Sequence, residues 1–119
     1  MRTGYFARYR GSKGVSIALY PIKGYTGRRY PPLYPSPEIL AQFKRDGDTR
    51  QYMDRYYDEI LSKLDPKKVW EDLGEDAVLL CYEKAGDFCH RRLVAEWLSY
   101  ELGVDIPEYI NEKELEVCF

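Results

Sequence analysis

Histidine occurs once in this chain and cysteine three times, at positions 81, 89 and 118. An odd number of widely spaced cysteines argues against a disulfide framework and for a reducing compartment, so a cytoplasmic location is expected. No apolar run is long enough to cross a bilayer, which leaves membranes out of the expected partners. The first residues, Met1-Arg2-Thr3-Gly4-Tyr5, contain no apolar segment of the kind a secretory signal needs. Neither sign of charge dominates. Eighteen Lys and Arg stand against twenty Asp and Glu, a net charge of -2, so nothing draws the whole molecule to nucleic acid or to an anionic surface. Repeats, low-complexity blocks and linkers are also lacking, and 119 residues fit a single domain over 1–119.

What is present is an ordinary globular composition, 45% hydrophobic and 32% charged, with one unusual count, twelve tyrosines. Tyrosine pairs a large apolar ring with a polar tip, which suits the rim of a small core or a binding face.

The pattern along the chain is that of an α/β domain. Residues 3–9 and Val15-Ser16-Ile17-Ala18-Leu19-Tyr20 read as strands, the second ended by Pro21. Residues 21–36 hold four of the seven prolines and read as one long loop. That loop interleaves Lys23, Tyr25, Arg28, Arg29 and Tyr30, a pairing of bases and rings that can touch a phosphate or a nucleobase, or simply pin the loop to the body.

Helix starts are well marked. Ser36-Pro37-Glu38 combines a hydroxyl cap, a proline at the first helical position and an acid near the positive dipole end. Asp48 with Gln51 predicts a capping box, and Asp65-Pro66 repeats the cap-plus-proline logic. Gly47, Gly74 and Gly103 are expected helix stops.

Ala77 to Tyr82 is a continuous apolar run, as expected of a strand covered on both faces in a parallel sheet. A helix begun at Cys89 and closed by Gly103 follows it. Glu114 to Phe119 reads as a short edge strand or a docking tail. The expected architecture is a small, mostly parallel sheet flanked by helices, Rossmann-like in organisation.

Turns from the carboxyl ends of parallel strands into helices are where such folds bind ligands, and helix amino ends favour anions. At about 100° per residue, His90 and Arg91 project onto the stripe of Val94, Trp97, Leu98 and Leu102, while Cys89 and Arg92 fall to the other side. Strand alternation puts Cys81 and Glu83 on one face. The candidate catalytic groups are therefore Cys81, Glu83 and His90, a thiol nucleophile with a carboxylate and an imidazole for proton transfer. Cys89, Arg91, Arg28 and Arg29 are the candidate ligand-binding groups, the arginines as clamps on a phosphate. No metal is assigned. A zinc site is the weaker fit, because adjacent Cys89 and His90 diverge on a helix and no CxxC pair exists. The spacing from Cys81 to Arg91 also departs from the C-x5-R cradle of cysteine-dependent phosphatases.

Leu80-Cys81-Tyr82-Glu83-Lys84, followed by Cys89-His90-Arg91 and an apolar helix, resembles the signature of the domain of unknown function 488 family. That signature is an L-C-x-E strand end followed by C-H-R at a helix start. Leu93, Ala95 and Trp97-Leu98 continue the likeness, as do Pro21 and the Gly24 to Arg28 loop. The amino-terminal end departs from the family. Many members carry a T-I-G-H-S-type strand and then a D-x-R, where this chain has Thr3-Gly4-Tyr5-Phe6 and Ser16-Ile17-Ala18. The resemblance implies a compact α/β domain with motif positions at Cys81, Glu83, Cys89, His90 and Arg91, and it implies no particular activity or cofactor. The expected function is a pocket for an anion or nucleotide-type ligand at residues 81–91, with a small phosphate-bearing partner. The alternative is a nucleic-acid-associated or protein-interaction module in which the motif only holds loop to helix.

Overall fold

A computed structural model describes residues 1–82 and 89–109. Its centre is strand β4 (Val78–Cys81), buried at every residue. Val-Leu-Leu-Cys has no polar face to turn to water, and each large side chain it buries stabilises the fold by about 1.5–3 kcal/mol. Such a strand needs partners on both edges, and it has them. It pairs in parallel with β1 (Arg2–Tyr5), matching Tyr5 to Cys81, and with β2 (Gly14–Ser16), matching Ser16 to Leu80. A two-residue strand β3 (Arg28–Arg29) adds in parallel to β2, giving the order β1-β4-β2-β3. The fold is α/β with a small all-parallel sheet, as expected.

Strand lengths are corrected. The first strand ends at Tyr5 and turns, and the second pairs only as far as Ser16. The expected structureless loop at 21–36 contains β3 and a turn of 3-10 helix at Pro31–Leu33. Two arginines give no alternation to read, so β3 was invisible to hydrophobic pattern.

The helices begin where their caps predict. Ser36 Oγ accepts from Ile39 N–H at 3.2 Å to open α1 (Pro37–Asp46). Asp48 Oδ1 accepts from Gln51 N–H at 3.0 Å to open α2 (Thr49–Glu59). Asp65 Oδ1 accepts from Lys67 N–H at 3.0 Å to open α3 (Pro66–Leu73). The reciprocal half of the capping box is not made by Gln51, because Asp48 N–H is taken by Asp46 Oδ1 at 2.9 Å. The last helix, α4 (His90–Leu102), ends at Gly103 with φ +68, a left-handed residue that glycine reaches without a Cβ clash. Among the described residues, no helix is long and apolar enough to cross a membrane.

Val15, Ile17 and Leu79 share one core with side chains of all four helices, including Ile39, Tyr56, Val69 and Leu98. The second cluster holds Val78, Leu80 and Cys81, and described loop residues supply its cover: Phe6, Tyr9, Tyr25 and Tyr109. Tyr25 is edge-on to Phe6 and donates its hydroxyl to Arg28 O at 2.7 Å, so this tyrosine pins the proline-rich loop. Residues 106–109 run beside β1 through a parallel bridge from Thr3 to Glu108. The tail expected to form an edge strand lies outside the described residues.

Tyr56 is fully buried and its hydroxyl donates to Leu33 O at 2.7 Å. Tyr56→Phe removes that donor and leaves a buried carbonyl unpaired. A loss of about 1–3 kcal/mol is expected, read from the urea midpoint at unchanged slope.

Candidate functional site

The parallel register brings Cys81 and residues 17–18 to the carboxyl edge of the sheet, where α4 begins. There the chain lines an open cavity of about 190 Å³. Ala18, Leu19, Tyr20 and Pro35 come from the segments after β2, Leu40 and Phe43 from α1, and Tyr52 from α2. Cys81, Tyr82, Cys89 and His90 complete it. Most of these walls are apolar or aromatic. The sulfurs and the imidazole bring the polarisable and polar atoms to its lining.

Cys81 and Cys89 are joined in a disulfide, with their Cα atoms 7.2 Å apart. This corrects the expectation that the two thiols are separate and that no disulfide forms. The helical projection placed Cys89 away from His90 by treating it as a helix residue. It is instead the N-cap, with extended φ -154 and ψ 142, and that conformation turns its side chain back to the strand end. Cys118 lies outside the described residues.

His90 is buried, edge-on to the Tyr56 ring at 5.4 Å between centroids. Its Nε2 lies 2.7 Å from Ile17 O. A carbonyl only accepts, so Nε2 carries the proton and Nδ1 keeps a lone pair. That lone pair lies on the side of Cys89 Sγ, 3.9 Å away. Burial lowers the His90 pKa to about 4, and the nearby Arg91 charge pushes the same way, against the opposing effect of the Ile17 carbonyl. His90 is therefore a neutral imidazole at physiological pH.

Arg91 is only 1% exposed. Its Nε donates to Glu108 Oε1 at 3.1 Å and its Nη2 to Glu108 Oε2 at 2.9 Å, a two-pronged pair. Nη1 donates to Cys81 Sγ at 3.1 Å. The anion held by this fork is the protein's own carboxylate. Thr3 Oγ1 also donates to Glu108 Oε1 at 2.6 Å, and Arg92, outward as projected, bonds Thr3 Oγ1 and Ile106 O. The motif arginine thus ties α4 to β4 and to the segment beside β1.

The other two arginines lie elsewhere. Arg28 is in register with Val15 and Leu79, and it donates to Leu73 O and Asp72 O at the carboxyl end of α3. Arg29 donates to Tyr25 O and lies over the Tyr25 ring. The structure brings together Cys81, Cys89 and His90 at the cavity, sets Arg91 behind Cys81, and keeps Arg28 and Arg29 in other contacts. Glu83 lies outside the described residues.

Sequence reasoning missed the cavity walls. Leu40 and Phe43 lie on α1 and Tyr52 on α2, and nothing in the spacing of apolar residues along a helix tells a cavity wall from a packed one. Glu108 gave no signal either, lying seventeen residues from the arginine it pairs with.

Fold and site define an α/β domain with a cysteine pair and a neutral histidine at the carboxyl edge of a parallel sheet. A family model described as DUF488-N3a, the active DUF488-N3 subclade, matches residues 5–102. The chain belongs to this family, in agreement with the resemblance carried by residues 80–91. No curated protein and no solved structure matches it.

Glu108→Ala leaves a buried guanidinium without its carboxylate. Because Glu108 keeps some contact with solvent, a loss of about 3 kcal/mol is expected, the low end for breaking a buried pair. Equilibrium denaturation checks it, and Glu108→Gln, which keeps an acceptor for Nη2 or Nε, should lose less.

Proposed function

We propose that this protein is a small-molecule-binding α/β domain whose sheet-edge cavity takes one flat ring of nucleobase size against the cysteine pair. The single observation that carries the proposal is the open cavity itself, about 190 Å³, with Cys81, Cys89 and His90 in its lining. A cavity of about 150 Å³ holds one benzene ring. The volume therefore suits one ring, and the sugar or phosphate of a nucleotide would lie outside the mouth. Phe43, Tyr52 and Tyr82 supply ring faces and edges for stacking.

The reactive groups of this proposal are Cys81 and Cys89 as thiols in the reduced protein, with His90 as a neutral imidazole that positions them or exchanges a proton with the ligand. Arg91 acts by holding Cys81 and α4 in place. Arg28 and Arg29 play no part in it. A nucleic-acid role draws little support from a net charge of -2 and from two loop arginines already bonded to backbone carbonyls.

The test uses reduced full-length protein, a panel of free nucleobases and nucleosides, and NMR shifts of the residues around Ala18. At least one ring compound is expected to bind. Ala18→Leu, which fills the cavity, should weaken it by about tenfold or more, ~1.4 kcal/mol, with the circular dichroism spectrum unchanged. No binding by the whole panel, together with a variant more stable than wild type, would mark the cavity as a mere packing void and end the proposal.

A further inference from the structure

Three soft or borderline donors converge at the cavity floor. Cys81 Sγ, Cys89 Sγ and one nitrogen of His90 all lie within 4.8 Å of one another, and all three residues are buried. We propose that in the reduced protein Cys81, Cys89 and His90 hold one zinc ion through two sulfurs and Nδ1, with the fourth position open to the cavity. The proposal rests on the identification of this sheet edge as the functional site, and it adds the cofactor class.

The geometry supports it in four ways. Bonds of about 2.3 Å to sulfur and about 2.0 Å to nitrogen, at tetrahedral angles, set donor atoms about 3.5–3.8 Å apart. The Cys89 Sγ to His90 Nδ1 separation is already 3.9 Å. Once the disulfide is reduced, the Cα separation of 7.2 Å lets the two sulfurs part toward that spacing without moving the strand end from the helix start.

His90 is preset as a ligand. Its Nε2–H is held by the Ile17 carbonyl at 2.7 Å, the outer contact that fixes tautomer and ring angle in metal-binding histidines.

Charge also balances. Two thiolates cancel the two positive charges of zinc, and Glu108 cancels Arg91, so the buried set is neutral. Arg91 Nη1, 3.1 Å from Cys81 Sγ, is placed to donate to a metal-bound sulfur.

Finally, the cavity lies on the side where the fourth ligand belongs. Two cysteines, one histidine and an open position form a ligand set found in catalytic rather than structural zinc sites. A ring nitrogen or a water molecule can occupy that position.

The chemistry balances simply. An added dithiol supplies two electrons and two protons to split the Cys81–Cys89 disulfide, becoming a disulfide itself. Zinc then replaces the two thiol protons, which leave to solvent. The step uses only Cys81 and Cys89.

The experiment loads dithiol-reduced, full-length protein with Zn²⁺ or Co²⁺, exchanges it into buffer free of reductant and metal, and measures retained metal. One equivalent of zinc per chain is expected. The cobalt form should show sulfur-to-metal charge transfer and the intense visible bands of a tetrahedral ion. Bound zinc should protect Cys81 and Cys89, but not Cys118, from alkylation mapped by peptide mass spectrometry. Cys118→Ser should keep the metal, while Cys81→Ser, Cys89→Ser and His90→Ala should each lose stoichiometric retention.

If a variant fails to fold, the cobalt spectrum and the alkylation map of the wild-type chain decide alone. Retention of no metal, no tetrahedral cobalt bands and equal alkylation of all three cysteines would overturn the proposal. Ring binding that persists in metal-free protein would leave the cavity reading standing after such a failure. Zinc binding without any ring binding would sink that reading and keep the metal.

Discussion

Val-Leu-Leu-Cys cannot lie at a surface, and most of this structure follows from hiding it. A strand with no polar face must be hydrogen-bonded on two edges and covered on two faces. β1 and β2 supply the edges, and the four helices cover one face. Phe6, Tyr9, Tyr25 and Tyr109 cover described parts of the other. Three of the twelve tyrosines are used here, and Tyr30, Tyr52, Tyr56 and Tyr57 pack in or against the helical core. A ring with a polar tip can cap a sheet face from a loop while its hydroxyl reaches backbone, as Tyr25 does with Arg28 O.

The same constraint creates the site. β4 is central in the sheet, its carboxyl end lies between β1 and β2, and α4 begins beside it. Cys89 at the N-cap and His90 in the first turn are thereby brought against Cys81. The buried Arg91–Glu108 pair then fastens this arrangement from behind. A guanidinium at 1% exposure is costly unless its donors are used, and Glu108 and Cys81 use them. Family signatures are often read as lists of catalytic groups. In this one, Cys81, Cys89 and His90 face a cavity while Arg91 holds the frame.

Much of this was legible in the chain. Ser36, Asp48 and Asp65 each accept the amide proton their helix start predicts, because capping is a contact over two or three residues and needs no tertiary information. The unbroken run through Cys81 predicted a strand buried on both faces, and the burial of His90 and Arg91 followed from helical projection. Cys89 was misplaced by that same projection, since a cap residue leaves the helical path. β3 was missed because Arg28 and Arg29 carry no hydrophobic pattern, and their pairing is a backbone matter decided by β2 beside them.

Local sequence determined the α/β class, the helix boundaries and the cluster of reactive residues at 81–91, since each depends on propensity, caps and periodicity over a few neighbours. Tertiary structure alone decided the partners: Glu108 for Arg91, Ile17 O for His90, Cys89 for Cys81, and the end of α3 for Arg28. It also decided that Phe43 and Tyr52 line a cavity instead of closing one. The physical reason is the same in each case. Hydrogen-bond geometry and cavity shape depend on distances between segments far apart in the chain, and no pattern along one segment encodes where another will lie.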